Sequence, residues 1–285
     1  MIRRGFFVSL HPVCFIMVQT TPSCFPCNAV AQKLMTASRG KRISRVLQNK
    51  QTVWIKRMDC DSPILSRWFH ATLFSKLVKP YLRAAPLRSP QEQLQQEIRK
   101  LSAFKAARIP VPDIICAQET ALMLSDVGKT IQKRLAPLKK TAPRQHEAML
   151  VACAKALGEV HAAGLCHGRP HPRDMFLSPN GKIGFFDFEE EPEAVMSLSQ
   201  AQARDIWLLF LQICMRAQDK DHTPAAAFNA WQRYTAPQTL EDLRHLVRFF
   251  RHFLPPLQAL KAIRLGKDGQ RMLIATEFFI SHLGI

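Results

Sequence analysis

From Gly40 onward, hydrophobic and polar positions recur with a period that changes along the chain. Over Arg42 to Leu47 and Thr52 to Met58 the apolar residues fall on roughly alternate positions, which predicts two strands joined by a polar turn at Gln48 to Gln51. Ile64 to Val78 changes to helical spacing, with Leu65, Phe69 and Leu73 on one side and Pro80 as a stop. A second helix is predicted after Ser89, with Pro90 at its first position, through Leu94, Ile98, Leu101 and Phe104 to Ile109. Two short strands follow, Asp113 to Ala117 and Thr120 to Ser125. Pro143 to Ala163 reads as a long amphipathic helix closed by Gly164. Pro179, Asn180 and Gly181 mark a tight turn between strands at Phe176 to Ser178 and Ile183 to Phe188. The remainder is helical: Ala201 to Met215, Pro224 to Arg233, Leu240 to Phe253 and Asp268 to Leu283. The pattern therefore predicts an α+β chain in which a small β-rich part precedes a larger helical part, with the boundary near Gly128. The expected division is a poorly ordered extension at 1–38, a β-rich unit at 39–128 with a basic helical insertion at 62–89, and a helical unit at 129–285.

Charge changes this picture on one side only. The chain has 285 residues, 40 Lys and Arg against 22 Asp and Glu, and a net charge of +18. Residues 1–91 hold 15 basic and 2 acidic side chains, a net of +13, so the surplus belongs to the N-terminal third. A one-sided positive field predicts an anionic partner: a lipid surface, a phosphorylated lipid-linked sugar or a nucleic acid. The insertion interleaves Trp68, Phe69, Phe74 and Tyr81 with Arg67, Lys76, Lys79, Arg83 and Arg88, a composition that suits an interfacial helix on anionic lipid. The alternative is that its apolar residues pack inward while the cations are solvated.

A hydrophobic content of 47% excludes a disordered tail, and no uninterrupted apolar run of 18 residues exists to span a membrane. Gly5 to Val18 follows Arg3 and Arg4 as a leader would, but His11 and Pro12 interrupt it and no small-residue cleavage site follows. Eight cysteines lack the regular spacing of a disulfide scaffold and fit a reducing, cytoplasmic setting, peripheral to the inner membrane if the basic insertion binds lipid. His11, Cys14, Cys24 and Cys27 form two pairs with the two-residue gaps of a zinc site, the alternative to an unstructured extension.

The segment His161 to Glu193, HAAGLCHGRPHPRDMFLSPNGKIGFFDFEEEPE, concentrates the candidate chemistry. An aspartate closing an apolar strand, as Asp187 does after Phe185 and Phe186, is costly unless a cation or hydrogen bonds satisfy it. The segment resembles the catalytic centre of the two-lobed protein-kinase-like fold: a helix, a loop of the form H-x-D-x-x-x-x-N, a tight hairpin, then D-F-G. His167 takes the loop histidine, Asp174 the asparagine, and Asp187 with Phe188 the start of D-F-G. The similarity is to the lipopolysaccharide kinase (Kdo kinase) type family, in which D-F is followed by an acidic residue, here Glu189. Upstream, Val53 to Lys56 resembles the third-strand V-x-x-K, and Glu97 lies in the helix that supplies its partner. Downstream, Asp205 resembles the aspartate that braces the loop.

This resemblance implies ATP and Mg²⁺ as cofactors, Lys56 and Glu97 for the nucleotide, Asp187 and Asp174 for the metal, and Asp205 as a structural brace. It implies phosphoryl transfer to a sugar hydroxyl on a membrane-associated, anionic lipid-linked acceptor, a reaction governed by positioning and charge neutralisation. Two departures stand out. Arg169, followed by Pro170, occupies the catalytic aspartate position, and only Gly40 stands where a glycine-rich phosphate loop would be. Arg169 can instead stabilise the transferring phosphoryl charge or hold an anionic acceptor, with His167 or His171 as proton acceptor. Two further readings remain: a catalytically impaired, pseudokinase-like binding or regulatory protein at the membrane, and a basic kinase-like RNA-associated protein.

Overall fold

The computed structural model describes residues 25–60, 88–255, 258 and 266–285. The helix expected at Ile64 to Val78, and three members of the alternative zinc set, His11, Cys14 and Cys24, lie outside these residues. The first described element is helix α1 (Ala29–Ala37), in the stretch expected to be an extension. Asn28 caps it by accepting from the Ala31 N–H, and Ala31 and Met35 bury one side. Cys27, just before it, forms a disulfide with Cys116, and Phe25 O accepts from Ala117 N–H at 3.2 Å. Cys27 is therefore not a free zinc ligand, and the expectation that every thiol is reduced fails at this pair.

Strands β1 (Ile43–Gln48) and β2 (Gln51–Arg57) form an antiparallel hairpin. Its turn residues Asn49 and Lys50 both have positive φ, 50° and 65°, as a twisted two-residue hairpin turn requires. After helix α2 (Pro90–Ala106), strands β3 (Ile114–Gln118) and β4 (Ala121–Ser125) complete a four-stranded antiparallel sheet ordered β1-β2-β4-β3. A capping box between Ser89 and Glu92, with Pro90 behind it, sets the start of α2 where the sequence places it. The sheet is covered on both faces. Val53, Ile55 and Met123 pack with Ala31 and Met35 of α1, whereas Leu122 and Leu124 join Leu94, Ile98, Leu101 and Phe104 of α2 in the main core. The lysine expected on a third strand stands on the second described strand, and among the described residues ahead of β1 the one regular element is helix α1.

The larger lobe begins with helix α3 (Ile131–Thr141), which the periodicity did not reveal because Pro137 and three lysines interrupt it. Thr130 caps it, and Ile131 and Leu135, one turn apart, bury its contact face. Helix α4 (Pro143–Ala162) ends at Gly164, whose φ of 72° closes the last turn. It leads through the loop 163–174 into the hairpin of β5 (Met175–Leu177) and β6 (Ile183–Phe185). Helices α5 (Leu198–Arg216), α6 (His222–Gln232), α7 (Pro237–Arg251) and α8 (Lys267–Leu283) build the rest. Phe185, Phe188, Phe210, Phe228, Trp231 and Phe279 are fully buried in one continuous core with α2. The small sheet lobe and the helical lobe thus share apolar packing through α2. The α+β, two-lobed arrangement is the one expected from the sequence. Among the described residues, no helix is long and apolar enough to cross a membrane.

The hairpin β5–β6 approaches the small lobe closely, with Phe185 N–H donating to Pro110 O at 2.9 Å. Beside it, a Cβ on Gly184 would collide with the Phe176 ring and Pro110 O. Gly184→Ala is expected to lower the unfolding free energy by about 1–3 kcal/mol, the usual cost of overpacking. Urea denaturation measures this, and an unchanged midpoint would contradict the packing of this hairpin.

Candidate functional site

Lys56 occupies the end of β2, where the alternation of the strand breaks and three successive residues, Ile55 to Arg57, are buried. Its ammonium lies 3.0 Å from Glu97 Oε2, 2.5 Å from Asp187 Oδ1 and 3.6 Å from Glu189 Oε1. Burial alone would depress its pKa, but the charges of Glu97 and Asp187 outweigh burial and raise it. The strand, the helix and the post-β6 segment therefore meet at one cation. Asp187 has a φ of 68°, a left-handed conformation that costs an aspartate roughly 1–3 kcal/mol unless its surroundings hold it. Burial would raise its pKa, yet Lys56 holds the carboxyl below the ordinary range.

Phe188, the next residue, is clamped on both sides of its peptide. Its N–H donates to Glu97 Oε1 at 3.3 Å, and its carbonyl accepts from Gln96 Nε2 at 3.0 Å. Its ring packs against Phe104 and His167, with centroids 4.5 and 4.9 Å away. Gln96 was not singled out in the sequence, although its place beside Glu97 puts it on the same helix end. Lys100, one turn further along α2, was also missed. Buried, it donates to the carbonyls of Cys166 at 3.2 Å and His167 at 3.3 Å, and pairs with Glu193 at 2.8 Å.

The loop after α4 is braced by Asp205, which is fully buried near the start of α5. Its carboxylate accepts from His167 N–H at 2.6 Å and Gly168 N–H at 2.9 Å. Burial would raise the Asp205 pKa, but His161 and these loop donors bring it below the ordinary range. Gly168 has a φ of 107°, and a Cβ there would strike Glu190 O, so only glycine fits. His167 is buried, and burial pushes its pKa down to about 4, leaving a neutral ring. The neutral tautomer that fits its neighbours donates from Nε2 to Phe186 O at 3.2 Å and accepts at Nδ1 from Arg169 N–H at 3.4 Å. Both nitrogens are thereby spent on main chain, which leaves none to receive a substrate proton.

Arg169 points its half-exposed guanidinium at the acidic run after Asp187, 3.8 Å from Glu189 and 3.7 Å from Glu190. Each glutamate of that run has basic partners. Glu189 also pairs with Arg42 of the small lobe, Glu190 with Arg204, and Glu191 with Arg88 and Arg99. The hairpin turn that would cover a nucleotide phosphate is the Asn49–Lys50 pair and contains no glycine.

Asp174 is 5% exposed, with Arg173 Nε 3.3 Å away as its ion-pair partner. Burial, with repulsion from Asp187, raises its pKa to about 7. Two carboxylates close enough to repel each other suit a hard divalent cation, which would relieve that repulsion. Among the described residues no three metal-ligating side chains gather, and Mg²⁺ usually takes one or two carboxylates plus phosphate oxygens and water. Asp174 and Asp187 are thus the residues that could hold it.

These features define a kinase-type centre between two lobes, with a buried lysine–glutamate pair from one and a braced loop from the other. The chain belongs to the lipopolysaccharide kinase (Kdo/WaaP) family, whose profile matches residues 36–221. A relative in Haemophilus influenzae, described as an uncharacterized protein, is 25% identical over 192 residues, covering 67% of this chain and 70% of that one. Among solved structures, a MAP kinase of Leishmania major is 18% identical, with a TM-score of 0.36 over 87% of this chain and 85% of that one. An erythromycin complex of a Mycobacterium tuberculosis protein, Rv3197, is 14% identical, with a TM-score of 0.35 over 82% and 70%.

The raised pKa of Asp174 has a defined sign. Its folded value near 7 lies above the ordinary carboxyl value, so its stabilising contribution is full below about pH 4 and is lost as pH rises through about 7. Wild-type stability is expected to fall relative to Asp174→Asn by about 2–4 kcal/mol between about pH 4 and pH 8. Chemical denaturation of both proteins across that range checks this, and parallel curves would show that Asp174 titrates normally.

Proposed function

We propose that this protein is an ATP-dependent phosphotransferase of the lipopolysaccharide-kinase type, acting on a sugar hydroxyl of a membrane-associated acceptor. The observation that carries this reading is the convergence of Lys56 with Glu97 and Asp187, at 3.0 and 2.5 Å, beside the second carboxylate of Asp174. In this reading Lys56 holds the nucleotide phosphates, and Glu97 keeps its ammonium directed into the cleft. Asp187 and Asp174 hold Mg²⁺, whose charge offsets that of the phosphates when it is bound. Asp205 fixes the loop by its two backbone bonds, and His167 pins the loop to Phe186 rather than acting as a base. Arg169 supplies positive charge toward the transferring group, as an arginine finger does. Family membership supports the reaction class, and the net +13 of the first 91 residues supports an anionic acceptor or membrane surface.

Lys56→Met and Asp187→Asn are each expected to lower ATP-dependent phosphorylation of a lipid-linked sugar extract by at least ~10²-fold, the scale seen when one preorganised charge is removed. Transfer of radiolabelled γ-phosphate measures it. A wild-type protein inactive with both Mg²⁺ and Mn²⁺ would overturn the proposal. It would favour the second reading, a regulatory protein with an impaired kinase centre, for which the exchange of an aspartate for Arg169 is the specific observation. Arg169→Ala is expected to slow turnover by about tenfold or more while leaving nucleotide affinity within about twofold. Equal turnover in the two proteins would remove Arg169 from the reaction.

A further inference from the structure

Helix α3 and its flanks carry charge of one sign. From 127 to 146 the chain has six cations, Lys129, Lys133, Arg134, Lys139, Lys140 and Arg144, and no acidic residue. Ile131 and Leu135 bury the inner side of the helix, whereas Lys133, Ala136, Pro137 and Lys140 are exposed. With about 3.6 residues per turn those four lie opposite Ile131 and Leu135, so two lysines about 10 Å apart flank a small apolar step. Among the described residues none of the six cations is in an ion pair. The acids that bracket the stretch are engaged elsewhere. Asp126 accepts from Trp54 Nε1 at 2.6 Å, and Glu147 accepts from the Thr223 hydroxyl at 2.6 Å.

This distribution is unfavourable for the protein alone. The first turn of α3 has no acidic residue, and Lys133 stands there, at the positive end of the helix dipole. That cation and the mutual repulsion of its neighbours are both relieved by an extended surface of opposite charge. The helix also borders the candidate centre. It packs on the turn Pro172–Asp174 and on β5, and Thr130 forms a backbone bridge with Phe176, two residues beyond Asp174. A layer seated on the outer face of α3 therefore lies one helix diameter, about 10 Å, from that turn.

We infer that the outer face of α3 is a docking surface for an anionic lipid bilayer, which it holds beside the turn that carries Asp174. The lysine ammonium groups reach the lipid phosphates, and the small side chains of Ala136 and Pro137 let the helix approach the headgroup layer closely. Base stacking on aromatic rings, the usual means of holding single-stranded nucleic acid, has no counterpart, because 127–146 contains no Phe, Trp or Tyr. The inference deepens the proposed reaction, on which the membrane-associated acceptor rests, but the lipid contact stands on α3 alone.

Co-sedimentation of the full chain with vesicles of phosphatidylcholine, with and without phosphatidylglycerol, tests this in the absence of nucleotide. Wild type is expected to bind only the vesicles that contain phosphatidylglycerol. Changing Lys133→Gln, Lys139→Gln and Lys140→Gln together should weaken binding by at least about tenfold, since one lysine near an anionic surface contributes about fivefold. Changing Lys33→Gln, Lys41→Gln and Lys50→Gln together removes the same charge from the small lobe and should leave affinity within about twofold, because the attraction fades within a Debye length. Lys133→Glu alone serves if the triple α3 variant does not fold. It places a glutamate three residues after Thr130, the capping-box spacing of Ser89 and Glu92, and should raise thermal stability while lowering vesicle affinity by about fivefold or more. Unchanged affinity in the folded α3 variants, an equal loss in the small-lobe variant, equal binding to neutral vesicles, no binding of wild type to either vesicle, or tighter binding of an oligouridylate RNA through the same lysines would overturn the inference. A protein that docks through α3 yet transfers no phosphate refutes the proposed reaction and leaves this surface standing. One that phosphorylates a lipid-linked sugar while its α3 variants bind vesicles as wild type does the reverse.

Discussion

A lysine ammonium with 7% of its side chain exposed must have partners, and the structure around the centre follows from supplying them. The charge of Lys56 can be compensated only if α2 delivers Glu97 and the segment after β6 delivers Asp187 to the same point. Those two elements belong to different lobes. One buried cation therefore sets how the lobes face each other, and removing any partner leaves a charge stranded in a low-dielectric interior. The left-handed backbone of Asp187 is tolerable in the same way, because Lys56 on its carboxylate and the clamp on Phe188 determine where it stands.

Helix α2 carries more of this arrangement than its glutamate. Successive turns present Gln96 and Glu97 to Phe188, then Lys100 to the carbonyls of Cys166 and His167, while Leu94, Ile98, Leu101 and Phe104 face the core. A shift of the helix along its axis would thus disturb the lysine, the Asp-Phe segment and the loop together. The acidic run behind Phe188 adds a further tie. Its glutamates are held by bases from β2, α2, the loop and α5, together with Arg42 just ahead of β1 and Arg88 just ahead of α2. The path of the segment is thereby set by charge matching more than by burial. Arg169 belongs to that network, which explains how an arginine is accommodated where the family resemblance leads one to expect an aspartate.

Membership of the lipopolysaccharide kinase family places the reaction class, and the geometry shows which parts of such a centre are built here. The lysine–glutamate pair, the Asp-Phe segment and the loop brace are present with close contacts. The glycine-rich cover is not: a two-residue turn of Asn49 and Lys50 stands in its place, and a helix pinned by the Cys27–Cys116 disulfide precedes it.

Much of this was legible from local pattern. The capping box at Ser89, the glycine after α4, the hairpin at Asn180–Gly181 and the alternation of β1 and β2 each reflect interactions spanning a few residues, so the order of residues alone determined them. Lys56, Glu97, Asp174, Asp187 and Asp205 became candidates through the family resemblance, carried residue by residue onto the motif positions of this chain. Helix α1, helix α3 and the Cys27–Cys116 bond were not legible. The first two are short and weakly periodic, and the third joins residues 89 positions apart. Nor could spacing show that both nitrogens of His167 serve the main chain or that Lys100 reaches the loop. Those are contacts between elements distant in the chain, whose energies depend on burial and on distance in space, quantities that exist only once the lobes have packed.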